Sequence, residues 1–273
     1  MAQCLQDNGV APLIVDMSIG LGTPRGADIS REEVFAAAGL KWEKLREKTK
    51  GELMALISEA MRAMILRLYK EGKIDGVMAA GGVQNTTVAM TAMQLLPIGF
   101  PKVIASTVAC GQKPFSTVVG MRDIVVVPSM SDFTGLNMMT RTTLANACAC
   151  AAGMAKHAGR PPQKPSRPVV GVSLMGITND GCCAAIDELE RLGIEAIGFH
   201  TTGVGGQVME QLALDGILDG ILDMTTHEIT SEYFGGGFSC GAKNRLIATL
   251  EADVPMVVSV GGLDFVDFDR EHF

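Results

Sequence analysis

Residues 76–107 read GVMAAGGVQNTTVAMTAMQLLPIGFPKVIAST, and the order of apolar runs and breakers within them decides the fold. A short apolar run, Gly76-Val-Met-Ala-Ala80, breaks at Gly81 and Gly82. Gln84, Asn85, Thr86 and Thr87 follow, and an Ala/Met-rich run then carries to Leu96. Pro97-Ile-Gly-Phe-Pro101 stops that run, and Lys102-Val-Ile-Ala-Ser-Thr107 is again short, apolar and partly β-branched. Strand, glycine turn, helix, strand is a βαβ unit, whose crossover lays two parallel strands side by side. Its first turn lies at the carboxyl end of a strand and the amino end of a helix. Unpaired N–H groups and the helix dipole favour an anion there.

The same alternation extends in both directions. Downstream, Ile124–Pro128 reads as a strand and Thr134–His157 as a helix whose Ala and Cys content allows close packing. Val169–Leu174, Ala196–His200, part of Gly216–Met224 and Val254–Val260 read as further strands, with helices between them. Upstream, a helix tail stops at Asn8-Gly9, Pro12–Met17 reads as a buried strand, and Ser30-Arg-Glu-Glu33 carries the signature of a capping box. Lys50–Glu71 is an amphipathic helix with Leu53, Leu56, Ile57, Met61, Met64, Ile65 and Leu68 on one face. Repeated βα units imply α/β architecture with mostly parallel sheets, arranged as two Rossmann-like three-layer (αβα) subdomains. Prolines at 161, 162, 165 and 168 mark a linker, so residues 1–160 and 168–273 are the expected subdomains. The first reads as lacking its opening strand and loop, and the second as stopping short at its carboxyl end.

Composition excludes several functions. A net charge of −7 offers no basic stripe to neutralise phosphates, so nucleic acid is not an expected partner. No apolar run reaches ~18 residues, so no membrane span is expected, and the first residues lack a signal core; a cytoplasmic location is the expectation. The seven cysteines lack metal or redox spacing and read as buried free thiols.

Ligands of open α/β sheets lie at the carboxyl ends of strands. Polar, glycine-bearing segments fall at such ends here: Gly81–Thr87, Ser106–Gly111, Ser129–Asp132, Gly176–Gly181, His200–Gly206, Asp223–Glu228 and Gly261–Asp267. Gly81, Gly82, Asn85, Thr86, Thr87, Ser106, Thr107 and Gly111 are candidate phosphate or nucleotide contacts, as are Thr202, Gly203, Gly205 and Gly206. Asn85 reads equally as a plain N-cap. There is no P-loop lysine motif, and Gly203-Val-Gly-Gly206 is only a partial dinucleotide fingerprint. His200 reads either as a proton-transfer group or as a backbone-bonded histidine, and Asp223 and Asp264 are the accompanying catalytic candidates. His227-Glu228 and Asp223 would hold a metal only with a further ligand, and none is evident, so no metal is expected.

Leu96–Gly111, Phe199-His-Thr-Thr-Gly-Val-Gly-Gly-Gln-Val-Met-Glu210, Leu222-Asp-Met-Thr-Thr-His-Glu228 and Ser259–Val266 together resemble an uncharacterised protein family. That family has bacterial, fungal and plant members, and shares the N-terminal ATP-binding domain of the tomato mosaic virus resistance protein. The resemblance implies two Rossmann-like subdomains, ATP or a related nucleotide in the first, and self-association as a homodimer. Its usual Gly-Gly-Ser-Gly-Gly-Thr turn is here Gly81-Gly-Val-Gln-Asn-Thr86, and its Gly-Thr-x-Asp-Thr-Lys loop is not present. The expected function is therefore binding of a nucleotide or phosphate ligand, with any reaction on a small metabolite unassigned. The alternative implied by the resemblance is a protein-interaction module of the viral replication inhibitor type.

Overall fold

The structure is a computed structural model, described over residues 1–20, 26–45, 47–109, 119–157, 162–235, 239–241 and 245–267. Gly111, His272 and the Arg160-Pro161 start of the linker lie outside the described residues. The chain divides into two compact units, Met1–Pro162 and Gln163–Phe273.

In the first unit, β1 (Val77–Gly81), β2 (Lys102–Ser106) and β3 (Val125–Pro128) form a parallel sheet in that order. Side chains of β2 alternate between the two faces. Ile104 packs with Ala89, Met90 and Met93 of α4 (Val83–Met93), whereas Val103 and Ala105 pack with Ala147 of α5 (Met138–His157). Both faces are thus covered, which is why β2 reads as continuously apolar. Behind α4 sit α2 (Arg31–Ala37) and α3 (Lys50–Lys70), and Leu53, Ile57, Met61, Met64, Ile65 and Leu68 are all buried along α3. Capping boxes start both helices. Ser30 pairs reciprocally with Glu33, and Thr49 with Glu52. The short α1 (Ala2–Asp7) ends before Gly9, at φ +74°.

One expectation fails: Pro12–Met17 is not a strand. Among the described residues only Val15 of this run makes a bridge, to Ile29, and Leu13 and Ile14 are exposed. An apolar run becomes a strand only when a neighbour accepts its backbone bonds along its length, and here a single bridge does so.

Lys102 opens β2 with its side chain fully buried. Its ammonium donates to the carbonyls of Pro97 (2.7 Å) and Phe100 (2.8 Å) and pairs with Asp123 at 2.7 Å. Burial pulls its pKa down, and Asp123 pulls it back up. This pin sits at the amino end of the sheet, away from the ligand-facing end.

In the second unit, β4 (Val169–Leu174), β5 (Glu195–His200), β6 (Gly220–Thr225) and β7 (Met256–Gly261) form a parallel sheet in the order β5-β4-β6-β7. Gly171 abuts Met209 of α7 (Gly205–Leu214), while Gly198, in register with Val172, abuts Ile186 of α6 (Asn179–Arg191). Gly171 and Val172 point to opposite faces, so α6 and α7 cover opposite faces. The chain leaves β4 and β6 in opposite directions, which opens a crevice between their carboxyl ends. Two further helices follow, α8 (His227–Phe234) and α9 (Ala248–Glu251).

Replacing Thr49 with Ala removes one half of the α3 capping box. The expected loss is about 1 kcal/mol of stability, read from urea denaturation; a loss indistinguishable from zero means that the helix start is held by packing alone.

Candidate functional site

In the first unit, Gly81, Ser106 and Pro128 stand in register, so the turns after the three strands meet along one sheet edge. Gly82 is the N-cap of α4 and makes no side-chain cap bond. The helix starts before Asn85, which corrects the N-cap reading of that residue: Asn85 lies exposed in the first turn, folded back over Gly81. A methyl group at Gly81 would meet the Asn85 side chain at 2.5 Å, whereas one at Gly82 would meet only the Thr107 hydroxyl, at 3.7 Å. The turn is tight on one side and open on the other. Thr86 and Ser106 are buried and bonded to each other (2.7 Å), and Ser106 also accepts from the Val108 N–H at 3.1 Å. Both hydroxyls therefore hold the turn together. The Thr87 hydroxyl donates to the Val83 carbonyl within α4. Gly82 and Thr107 stay half-buried at this edge, and Gln84 and Asn85 are exposed in the first turn of α4.

The first-turn N–H groups of every helix lack intrahelical acceptors. Among the described helices of eight residues or more, α4 alone begins with neither a capping side chain nor a carboxylate. Thr49 and Glu52 serve α3, and the Asn137 side chain accepts from Met139 and Thr140 at the start of α5. Asp180 lies in the first turn of α6, and Glu228 in that of α8. Glu228 also reaches the start of α7, accepting from the Gly203 N–H at 2.8 Å and the Gly206 N–H at 3.4 Å.

That carboxylate belongs to a buried cluster in the second unit. The Arg245 guanidinium, fully enclosed, takes Asp223 with Nη2 (2.8 and 3.1 Å), Glu210 with Nη1 (3.2 Å) and faces Glu228 with Nε (3.1 Å). Ser173 donates to Asp223 at 2.6 Å and accepts from the Thr225 N–H at 2.8 Å, which ties β4 to β6 across the crevice. Burial pushes the Glu228 carboxyl up, and Asp223 adds to this, against the pull of Arg245 and of the two glycine N–H groups. The glycines of the 203–206 loop have a packing cause. A methyl group at Gly206 would lie 2.1 Å from the Glu228 carboxylate, and one at Gly205 would lie 1.9 Å from the His200 carbonyl. The loop's inward N–H groups are thus engaged by an internal anion.

His227, adjacent to Glu228, points into a separate buried cluster. Its Nδ1 faces the Gly262 carbonyl and its Nε2 faces Asp267, both at 3.0 Å, with Phe265 stacked on the ring at 4.0 Å. Ser231 also meets Nε2, at 3.1 Å. A nucleophilic relay needs serine and carboxylate on opposite ring nitrogens, so this trio is structural. Burial alone would raise the Asp267 carboxyl, but bonds from Ser239, His227 and Ser231 together bring it below the usual range. The three catalytic candidates are not brought into one arrangement. His200 is exposed and bonded to Thr202 (3.1 Å), Asp223 is sealed against Arg245, and Asp264 is exposed. Among the described residues, no group of three His, Cys, Asp or Glu is placed to hold a metal ion. No described helix is long and apolar enough to cross a membrane.

Residues 1–160 match the N-terminal domain of uncharacterised protein family UPF0261, and residues 167–273 match its C-terminal domain. The chain belongs to the UPF0261 family. It is 35% identical to a UPF0261 protein of Clostridium tetani over 267 residues, 97% of this chain and 65% of that protein. A UPF0261 protein of Rhizobium meliloti is 36% identical over 98% of this chain and 65% of its own length. The ToMV susceptible protein tm-1 of Solanum lycopersicum is 37% identical over 225 residues, 80% of this chain and 29% of the tomato protein. The chain thus spans under two thirds of these relatives.

What the sequence reading of this UPF0261 chain missed is the Arg245 cluster. Glu210 did leave a trace, since it shares the buried face of α7 with Gly206, Met209 and Ala213. A carboxylate on a core face calls for a buried cation. Arg245 lies in a glycine-rich, aperiodic stretch and left none.

Arg245→Met strands buried carboxylates and is expected to destabilise the second unit by about 3–5 kcal/mol. Urea denaturation followed by tryptic mapping of residues 163–273 measures this, and a change under about 1 kcal/mol contradicts the role given to the cluster.

Proposed function

We propose that this UPF0261 chain binds the phosphate of a nucleotide, ATP or a relative, at the amino end of α4. One observation carries the reading: α4 begins with neither cap nor carboxylate, directly after the open face of Gly82 at the carboxyl edge of β1. The positive end of the helix dipole and the first-turn N–H groups recognise an oxyanion without a lysine. Thr107 stands beside Gly82 and adds a hydroxyl. Asn85, exposed in the same first turn, adds an amide.

The discriminating variant is Gly82→Asp. The Gly82 backbone is extended (φ −82°, ψ −164°), a conformation aspartate adopts, and an aspartate there would cap α4 and place a negative charge where the phosphate sits. Isothermal titration of the unmodified chain with ATP is expected to give binding heat. Gly82→Asp should weaken it at least tenfold while Tm holds or rises. Silence across ATP, ADP and inorganic phosphate from folded protein overturns the proposal, as does unaltered binding by the variant.

A second reading, a protein-interaction module, is favoured by the edge strand β7, where Val257, Val258 and Val260 are 65%, 49% and 77% exposed. Uncharged, apolar edge strands recruit other polypeptides. Val258→Lys together with Val260→Lys should abolish capture of a partner protein by the immobilised chain; equal capture by the variant removes this reading.

A further inference from the structure

The free edge of β1 borders a gap. Val77 donates to the Pro101 carbonyl at 2.9 Å, so the N–H and C=O groups of Val77 and Ala79 serve β2. Successive residues of a strand turn these groups to opposite sides, and β1 ends the sheet, so those of Met78 and Ala80 face outward. Segment 12–17 forms the other wall. Asp16 donates to the Ile29 carbonyl (2.9 Å) and Ile14 accepts from the Ile29 N–H (3.0 Å), which turns the groups of Val15 away from Ile29. Among the described residues no backbone hydrogen bond joins 12–17 to β1. The space between them is open on both faces of the sheet. A wholly apolar cavity of about 140 Å³ lies against α3 and α4, lined by Leu13, Val15, Ile65, Val77, Ala79 and Met93 among others. A cleft of about 480 Å³ lies against α1 and α5, where Leu5, Leu13, Met78 and Ala151 meet Lys73 and Lys156. Because α4 and α5 cover opposite faces of β2, the two spaces lie on opposite sides of the gap. The strands show the consequence: Val77 to Ala80 of β1 are only half-buried, whereas every residue of β2 is buried.

We propose that this gap is a strand-binding slot: an extended segment of another protein inserts between 12–17 and β1 and continues the sheet. The outward groups of Met78, Ala80 and Val15 then gain backbone partners, and main-chain bonding of this kind supplies the affinity. Side chains alternate along a strand, so those of the occupant enter the cavity and the cleft in turn. The apolar cavity requires aliphatic side chains at alternate positions, and the wider cleft takes larger ones. The matching length is that of β1, five residues. The strands β1 to β7 of this chain are already paired in its two sheets, so the occupant is a different protein. The slot runs along β1 and is separate from the start of α4, which lies beyond the carboxyl end of that strand.

The probe is a fluorescein-labelled peptide of alternating valine and leucine between terminal lysines, titrated into the whole chain and followed by anisotropy. Saturable binding is expected. Methylating alternate backbone nitrogens of the peptide keeps its side chains but removes donors, and should weaken binding at least about tenfold. Amide exchange at Val15, Met78 and Ala80 should slow about tenfold on binding, while Val77 and Ala79, already bonded to β2, change little. Ala80→Pro removes one outward N–H without touching the bonds to β2, a change that an edge strand tolerates, and should abolish binding with Tm nearly unchanged. No binding to folded protein overturns the proposal. So does equal binding of the methylated peptide, which marks a merely apolar pocket, and so does protection confined to other strands. A dimer of the unmodified chain that the peptide dissociates makes a second copy the occupant and overturns the assignment to a different protein.

Discussion

A parallel strand covered by helices on both faces can place polar groups only at its ends. The strand β2 carries Val103, Ile104 and Ala105 at 0% exposure, with α4 on one side and α5 on the other. Polar chemistry is thereby driven to the carboxyl edge, where each turn delivers the first N–H groups of a helix. Those groups need acceptors, and the way each helix start finds one distinguishes structural turns from a ligand site.

The two units answer this demand differently. In the second unit, Glu228 supplies the acceptor for Gly203 and Gly206, and so brings a charge into a fully enclosed space. Only a buried cation makes that tolerable, and Arg245 provides it for Glu228, Asp223 and Glu210 together. The glycines of the 203–206 loop follow from this arrangement, since side chains there would collide with the Glu228 carboxylate or the His200 carbonyl. In the first unit the first turn of α4 carries no carboxylate and, among the described residues, no capping side chain, and the Thr86–Ser106 pair stiffens the turn behind Gly82. A glycine-rich strand end therefore has two forms in one chain: close packing in one unit and an open helix start without a capping side chain in the other.

Much of the fold was legible in the residues alone. The βαβ pattern of Gly76–Thr107, the Ser30–Glu33 capping box and the core face of α3 all depend on local spacing, and each stands as read. Pro12–Met17 misled because apolar, β-branched character reports burial potential and not a pairing partner. The turn Gly81–Thr87 was legible as a strand-to-helix turn because its signal is contiguous. The Arg245 cluster was not, since its members lie on β6, α7, α8 and an aperiodic segment.

By itself the sequence determined the α/β class, the run of βα units and the strand-end turns, because periodicity and breakers are local properties of the chain. Tertiary structure alone decided which of those turns are internally satisfied. It set Glu228 and Arg245 against the 203–206 loop, parted His227 from its neighbour Glu228, and left the start of α4 without a capping side chain. Hydrogen-bond acceptance and charge pairing act through space between residues far apart in the chain, and no spacing rule along it encodes them.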